Sequence, residues 1–152
     1  MGKFGSLKKG HNFELVVSKW LTKVTGVPFF RVPMSGAAFT TNNLDSLRGD
    51  ILTEAPSYFD IVFECKSYKA PVTLADINNK KSLLNSWIAQ TKKEAGEHFW
   101  MLFFKSNRGP TFLLVPTTDS LEYASIGSLK VIFSACQKVC TTKEYTIFQV
   151  LD

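Results

Sequence analysis

The chain has 152 residues, 45% of them hydrophobic, with 13 phenylalanines and a formal net charge of +5. That length suits one domain with one real core and excludes two ordinary ones, and the apolar content excludes a disordered chain. The positive surplus is compatible with a nucleic-acid partner but does not require one.

The opening MGKFGSLKKGHNF carries lysines but no apolar h-region, so no signal peptide is read there. Residues 1–10 are expected to be a flexible basic N-terminus. No apolar run approaches the roughly 20 residues that span a bilayer. Three scattered cysteines suit a reducing cytosol. Cys136 and Cys140 form a C-x3-C pair with no second pair at zinc-ligand spacing, and His11 and His98 lie far off, so buried thiols are the reading.

Phe13, Val16, Val17, Trp20, Leu21 and Val24 fall on one helical face, which predicts a helix from Asn12 to Val24 ended by Gly26 and Pro28. Phe29 to Val32 reads as a short strand, followed by a loop of small and polar residues from Pro33 to Gly49. Gly49 to Thr53 and Tyr58 to Ser67 read as two arms of a hairpin turning at Ala55-Pro56-Ser57. Leu74 to Ala95 reads as one helix, with Ile77, Leu84, Ile88, Thr91 and Ala95 in a narrow arc. HFWMLFFK, residues 98–105, is too apolar for an edge strand, and SNRG turns it into TFLLVP. Asp119 to Ala124 reads as a short helix, and Leu129 to Phe133 and Tyr145 to Val150 as late strands. The whole reads as a mixed α/β sheet with helices on its faces.

The stretch DIVFECKS, residues 60–67, alternates as a half-buried strand does, yet one face carries Asp60, Val62, Glu64 and Lys66. A carboxylate and an ammonium two residues apart share a face. They form a surface ion pair worth about 0 to 1 kcal/mol, or a cation ligand beside a group that steadies water or phosphate. Asp50, in RGDI, lies 14 residues ahead of Glu64, and a hairpin of that length can fold the two carboxylates together over one cation. On the first helix, at 100° per residue, Glu14 falls about 20° beyond the apolar face. It is either an ordinary boundary residue or a third carboxylate reaching toward a metal.

Glu14 in a first helix, then R-V-P-M-S-G, then G-D-I, then F-E-C-K-S, resembles the PD-(D/E)XK nuclease superfamily, and within it the archaeal and bacteriophage Holliday junction resolvases. The resemblance covers about residues 5–115, and its specificity lies in the order and spacing of short motifs. It implies a single-domain, restriction-endonuclease-like mixed β-sheet flanked by helices. It implies Asp50, Glu64 and the backbone carbonyl of Cys65 as ligands of Mg²⁺, with Mn²⁺ able to substitute. Lys66 would orient the attacking water, and Glu14 would serve a second cation position or bind through water. Ser35 matches a serine near the resolvase active site, and Gln90 a polar position behind the E-x-K strand. Gly49 stands where the family name has a proline. Asp45 and Asp60 are rivals for the metal role, Asp60 lying some 13 Å along the strand from Glu64.

Lys8, Lys9, Arg31 and Arg48 are the basic residues that chain order puts nearest the carboxylates, and they are read as phosphate contacts. Trp87, Trp100 and the phenylalanines phase as core rather than as base-stacking platforms. Ser35 has no His–Asp relay in sequence, which argues against nucleophilic serine catalysis. The implied activity is Mg²⁺-dependent cleavage of four-way junctions or other branched DNA, in recombination or repair, by a homodimer in a prokaryotic or phage-infected cytosol. Val131, Ile132, Ile147 and Phe148 would build the dimer interface or belong to the core. The alternatives are a nuclease of the same fold with another DNA substrate, or a DNA-binding module with a retired site.

Overall fold

A computed structural model of the chain describes residues 3–32, 49–118 and 127–151, with side chains from residue 12 onward. The first helix, α1, spans Lys3–Thr25. It begins well ahead of the Asn12 start that periodicity predicts. Phe13, Val17 and Leu21, at i, i+4 and i+8, are its buried face. Gly26, at φ 77°, ends the helix with its amide on the Thr22 carbonyl.

Strands β1 (Phe29–Arg31), β2 (Ile51–Thr53) and β3 (Ile61–Tyr68) follow, β2 and β3 joined by a tight turn at Pro56–Tyr58. The second helix is shorter than predicted. Leu74–Asn78 is a 3-10 turn, and α2 runs only over Leu83–Ala95. The break is built by polar side chains. Asp76 and Thr73 close a capping box, Ser82 Oγ accepts the Asn85 amide, and Asn85 Nδ2 faces the Asp76, Ile77 and Asn79 carbonyls. Leu84, Trp87, Ile88, Thr91 and Ala95 form the buried face, close to the predicted arc.

Next come β4 (Phe99–Ser106) and β5 (Phe112–Pro116). The predicted strand Leu129 to Phe133 is instead a helix, α3 (Gly127–Ser134), which buries Leu129 and Ile132 at i and i+3 while Val131 points outward. The strand at this point is β6 (Cys136–Thr141), paired with β7 (Tyr145–Val150). The helix predicted at Asp119 to Ala124 lies outside the described residues.

The sheet order is β1-β2-β3-β4-β5-β7-β6. β3 and β4 are parallel and joined through α2, while the other pairs are antiparallel. Alternation splits the core in two. Phe63, Cys65, Phe99, Met101, Phe103, Leu113 and Val115 meet α1 and α3 on one face. Val62, Trp100, Leu102, Phe104 and Leu114 meet α2 on the other. β4 is apolar from Phe99 to Phe104 because both of its faces are covered there. Trp87 and Trp100 are core, as their phasing predicts. Ile132 and Ile147 are fully interior and therefore unavailable to a dimer interface. Among the described residues no helix is long and apolar enough to cross a membrane.

Candidate active site

The site forms where β2 meets the middle of β3. Ile51 pairs with Phe63, so the antiparallel register sets Asp50 across from Glu64. Both backbone groups of Asp50 are held. Its amide donates to the Phe63 carbonyl at 2.7 Å, and its carbonyl accepts the Val32 amide at 2.8 Å. Its carboxylate oxygen Oδ2 accepts the Cys65 amide at 2.8 Å. Gly49 makes this approach possible. Its φ is 88°, and a Cβ there would lie 2.5 Å from the Phe63 carbonyl oxygen. Proline holds φ near −65° and could not take this conformation, which accounts for the glycine before Asp50.

Glu64 and Lys66 share the face of β3 that Val62 turns toward α2. Glu64 is only 3% exposed, and among the described residues its Oε1 has no hydrogen-bond partner. Burial, then hydrogen bonding to the Glu94 carboxyl, then the charge of Asp50 hold Glu64 far above the usual carboxylate range. Glu94 is held below that range, chiefly by its hydrogen bond with Glu64. Lys66 Nζ donates to Gln90 Oε1 at 3.0 Å, and Gln90 Nε2 donates to Glu94 Oε1 at 3.3 Å. Gln90 and Glu94 lie one turn apart on α2 and so present both groups to β3 together.

Glu14 is half-buried on α1. Burial first, then the Asp50 carboxylate, push it up to about 7, while Arg31 and Lys66 pull it down. Charges of the site also reach the buried Cys65. Its thiol is raised by burial, then Asp50, Glu14 and Glu64, and lowered by Lys66; it stays protonated and is no nucleophile. Arg31 reaches the site from β1, with its Nη1 buried and unpartnered among the described residues.

The fold therefore brings together Glu14, Arg31, Glu64, Cys65, Lys66 and Gln90 from four elements, with Asp50 from the residue just ahead of β2. The rival Asp60 is an exposed turn residue ahead of β3. Ser35, Arg48 and Asp45 lie outside the described residues, as do the side chains of Lys8 and Lys9, whose backbone belongs to α1. Glu94 was not anticipated. Its sequence signal is weak: a glutamate four residues after Gln90, beside Lys92 and Lys93.

Four carboxyls against two cations leave the cluster short of positive charge, and the raised Glu64 and Glu14 express that shortage. Among the described residues no three His, Cys, Asp or Glu side chains form a metal cage unaided. Mg²⁺ does not need one, since it takes one or two carboxylates and keeps waters. The orphaned Oε1 of Glu64 beside Asp50 fits a divalent cation.

Residues 5–152 match the family model described as "Phage putative PDDEXK endonuclease". The chain belongs to that family. The PDDEXK assignment makes the mixed sheet with helices on both faces a restriction-endonuclease-like fold, and it sets nucleic-acid cleavage and divalent-metal use as the family's chemistry. Neither the comparison with curated proteins nor that with solved structures finds a match.

Proposed function

We propose that this PDDEXK protein is a Mg²⁺-dependent, structure-specific DNA endonuclease that also accepts Mn²⁺, and that it cleaves four-way junctions or other branched DNA. The observation that carries the reading is the facing of Asp50 and Glu64 across the β2–β3 ladder, with Glu64 buried and its Oε1 unpartnered. Asp50, Glu64 and the Cys65 carbonyl would hold the cation. The carbonyl of a strand residue points to the same side as its amide, and the Cys65 amide already meets Asp50. When bound, a divalent cation stabilises charge on the phosphate and lowers the pKa of water.

The remaining work falls to the chain itself. Glu64 would hold a cation as the carboxylate, its proton passing to solvent. Lys66, tethered by Gln90, orients the attacking water and offsets charge on the phosphate. Arg31 directs a guanidinium at a phosphate oxygen, and Glu14 serves a second cation position or binds through water. Lys8, Lys9, Ser35 and Arg48 extend the contact with the DNA backbone, so that affinity falls steeply with salt. A homodimer would set two such sites on two opposed strands, in the cytosol of the phage-infected cell that the family description suggests.

The test is cleavage of a fixed four-way junction beside linear duplex of the same sequence, with Mg²⁺ and with EDTA. Paired symmetric nicks in the junction alone, lost with EDTA, are expected. Equal cutting of both substrates would keep the nuclease and remove the junction specificity. Tight junction binding without cutting in Mg²⁺ or Mn²⁺ would leave a DNA-binding module.

A further inference from the structure

We propose that Glu94 is a positioning residue of this site: acting through Gln90, it fixes where the Lys66 ammonium sits. The inference rests on the nuclease reading above and adds a residue that the E-x-K motif does not contain.

Lys66 carries only donors, on a flexible four-carbon stem. Its Nζ meets Gln90 Oε1 at 3.0 Å. A glutamine amide has nearly the same shape either way round, with an acceptor at one position and two donors at the other. The donor-only ammonium selects the carbonyl end, and an acceptor on the far side of the amide would hold it there. Glu94 Oε1 lies 3.3 Å from Gln90 Nε2 and accepts a hydrogen bond from it. Glu94 therefore anchors the amide's NH₂ end and so fixes the position of the carbonyl end that receives the ammonium. One Lys66 donor is used in this way, and two remain for water or phosphate.

The tether has a rigid base. Gln90 and Glu94 rise from the exposed side of α2, whose other face is locked by Leu84, Trp87, Ile88, Thr91 and Ala95. Glu94 also lies within hydrogen-bonding reach of Glu64, so one helix residue references both members of the E-x-K pair. Removing it leaves the Lys66–Gln90 bond but takes away the amide's second anchor, so amide and ammonium gain freedom together.

The experiment uses the full chain as wild type, Glu94→Gln, Glu94→Asp, Gln90→Leu and the double variant Glu94→Gln/Gln90→Leu. In the metal-free protein, NMR follows the Lys66 ammonium and the Gln90 side-chain amide, assigned by their loss in Lys66→Met and Gln90→Leu. Single-turnover cleavage of branched DNA in Mg²⁺ is measured beside DNA affinity. Glu94→Gln is expected to shift both resonances and to lower the cleavage rate by up to about 100-fold, with DNA affinity unchanged. Glu94→Asp, which keeps a carboxyl group, recovers part of that loss. In the Gln90→Leu background Glu94→Gln no longer moves the Lys66 resonance, because that route is already cut, and the cleavage loss it adds there is smaller than in wild type. Glu97→Gln, in the exposed turn after α2, leaves both readouts as in wild type. A Lys66 resonance unmoved by Glu94→Gln would overturn the proposal. So would an equal loss of cleavage with and without Gln90. If wild type cuts no DNA, that failure belongs to the nuclease reading, and the NMR comparison still decides the role of Glu94.

Discussion

The Phe63 carbonyl oxygen accepts the Asp50 amide at 2.7 Å and would stand 2.5 Å from any Cβ on Gly49. The aspartate can reach Glu64 only because the residue before it has no side chain. Gly49→Ala is predicted to lower stability by about 1–3 kcal/mol, from the left-handed backbone and the clash together. It should also weaken cleavage by drawing Asp50 off β3. Gly49→Pro should be worse, since its φ cannot reach 88°. Urea unfolding and cleavage assays check this, and an alanine variant matching wild type in both would show that Asp50 is held by other means.

A pH dependence follows from the buried carboxyls. Glu64 and Glu14 titrate higher in the fold than unfolded, so between the two values the native state binds more protons. Stability in EDTA then falls as pH rises from about 4.5, the Glu14 part completing near 7 and the Glu64 part continuing beyond. Glu94, held low, acts in the opposite sense and only below its unfolded value. Glu64→Gln is predicted to flatten the decline and raise the metal-free Tm at pH 8. Added Mg²⁺ should stabilise wild type there and leave the variant unmoved. Thermal melting from pH 5 to pH 9 measures both, and a wild-type Tm that climbs with pH would contradict the account.

The late helix is tested through its burial. Ile132 is fully buried and Val131 is 41% exposed. Ile132→Ala should cost about 2–5 kcal/mol and Val131→Ala less than about 0.5 kcal/mol. Equal costs in chemical denaturation would contradict the packing that turns Ile132 inward and Val131 outward on α3.

Local signals explain what the sequence discloses here. β3 and β4 are legible because strict alternation and a continuous apolar run each belong to one kind of strand. The meeting of Asp50 and Glu64 is legible because a short hairpin allows few registers. LKVIF is not legible, since five residues satisfy both the helical and the strand period until tertiary burial chooses Leu129 and Ile132. The break before α2 is hidden because Ile77 and Leu84 keep helical spacing, while the interruption is made by Ser82 and the side chain of Asn85. Glu94 is hidden for another reason. Beside Lys92 and Lys93 it reads as a solvated helix residue, and its meaning comes only from contact with Gln90 and with Glu64 on a distant strand.

The measurement that bears most directly on the central claim is cleavage of branched DNA by wild type, Asp50→Asn and Lys66→Ala, with Mg²⁺ and with EDTA. Wild type should cut only with the cation. Both variants should bind the DNA as tightly and cut at least about 100-fold more slowly. Asp50→Asn cutting at the wild-type rate would show that the pair facing each other across β2 and β3 is not the nuclease centre.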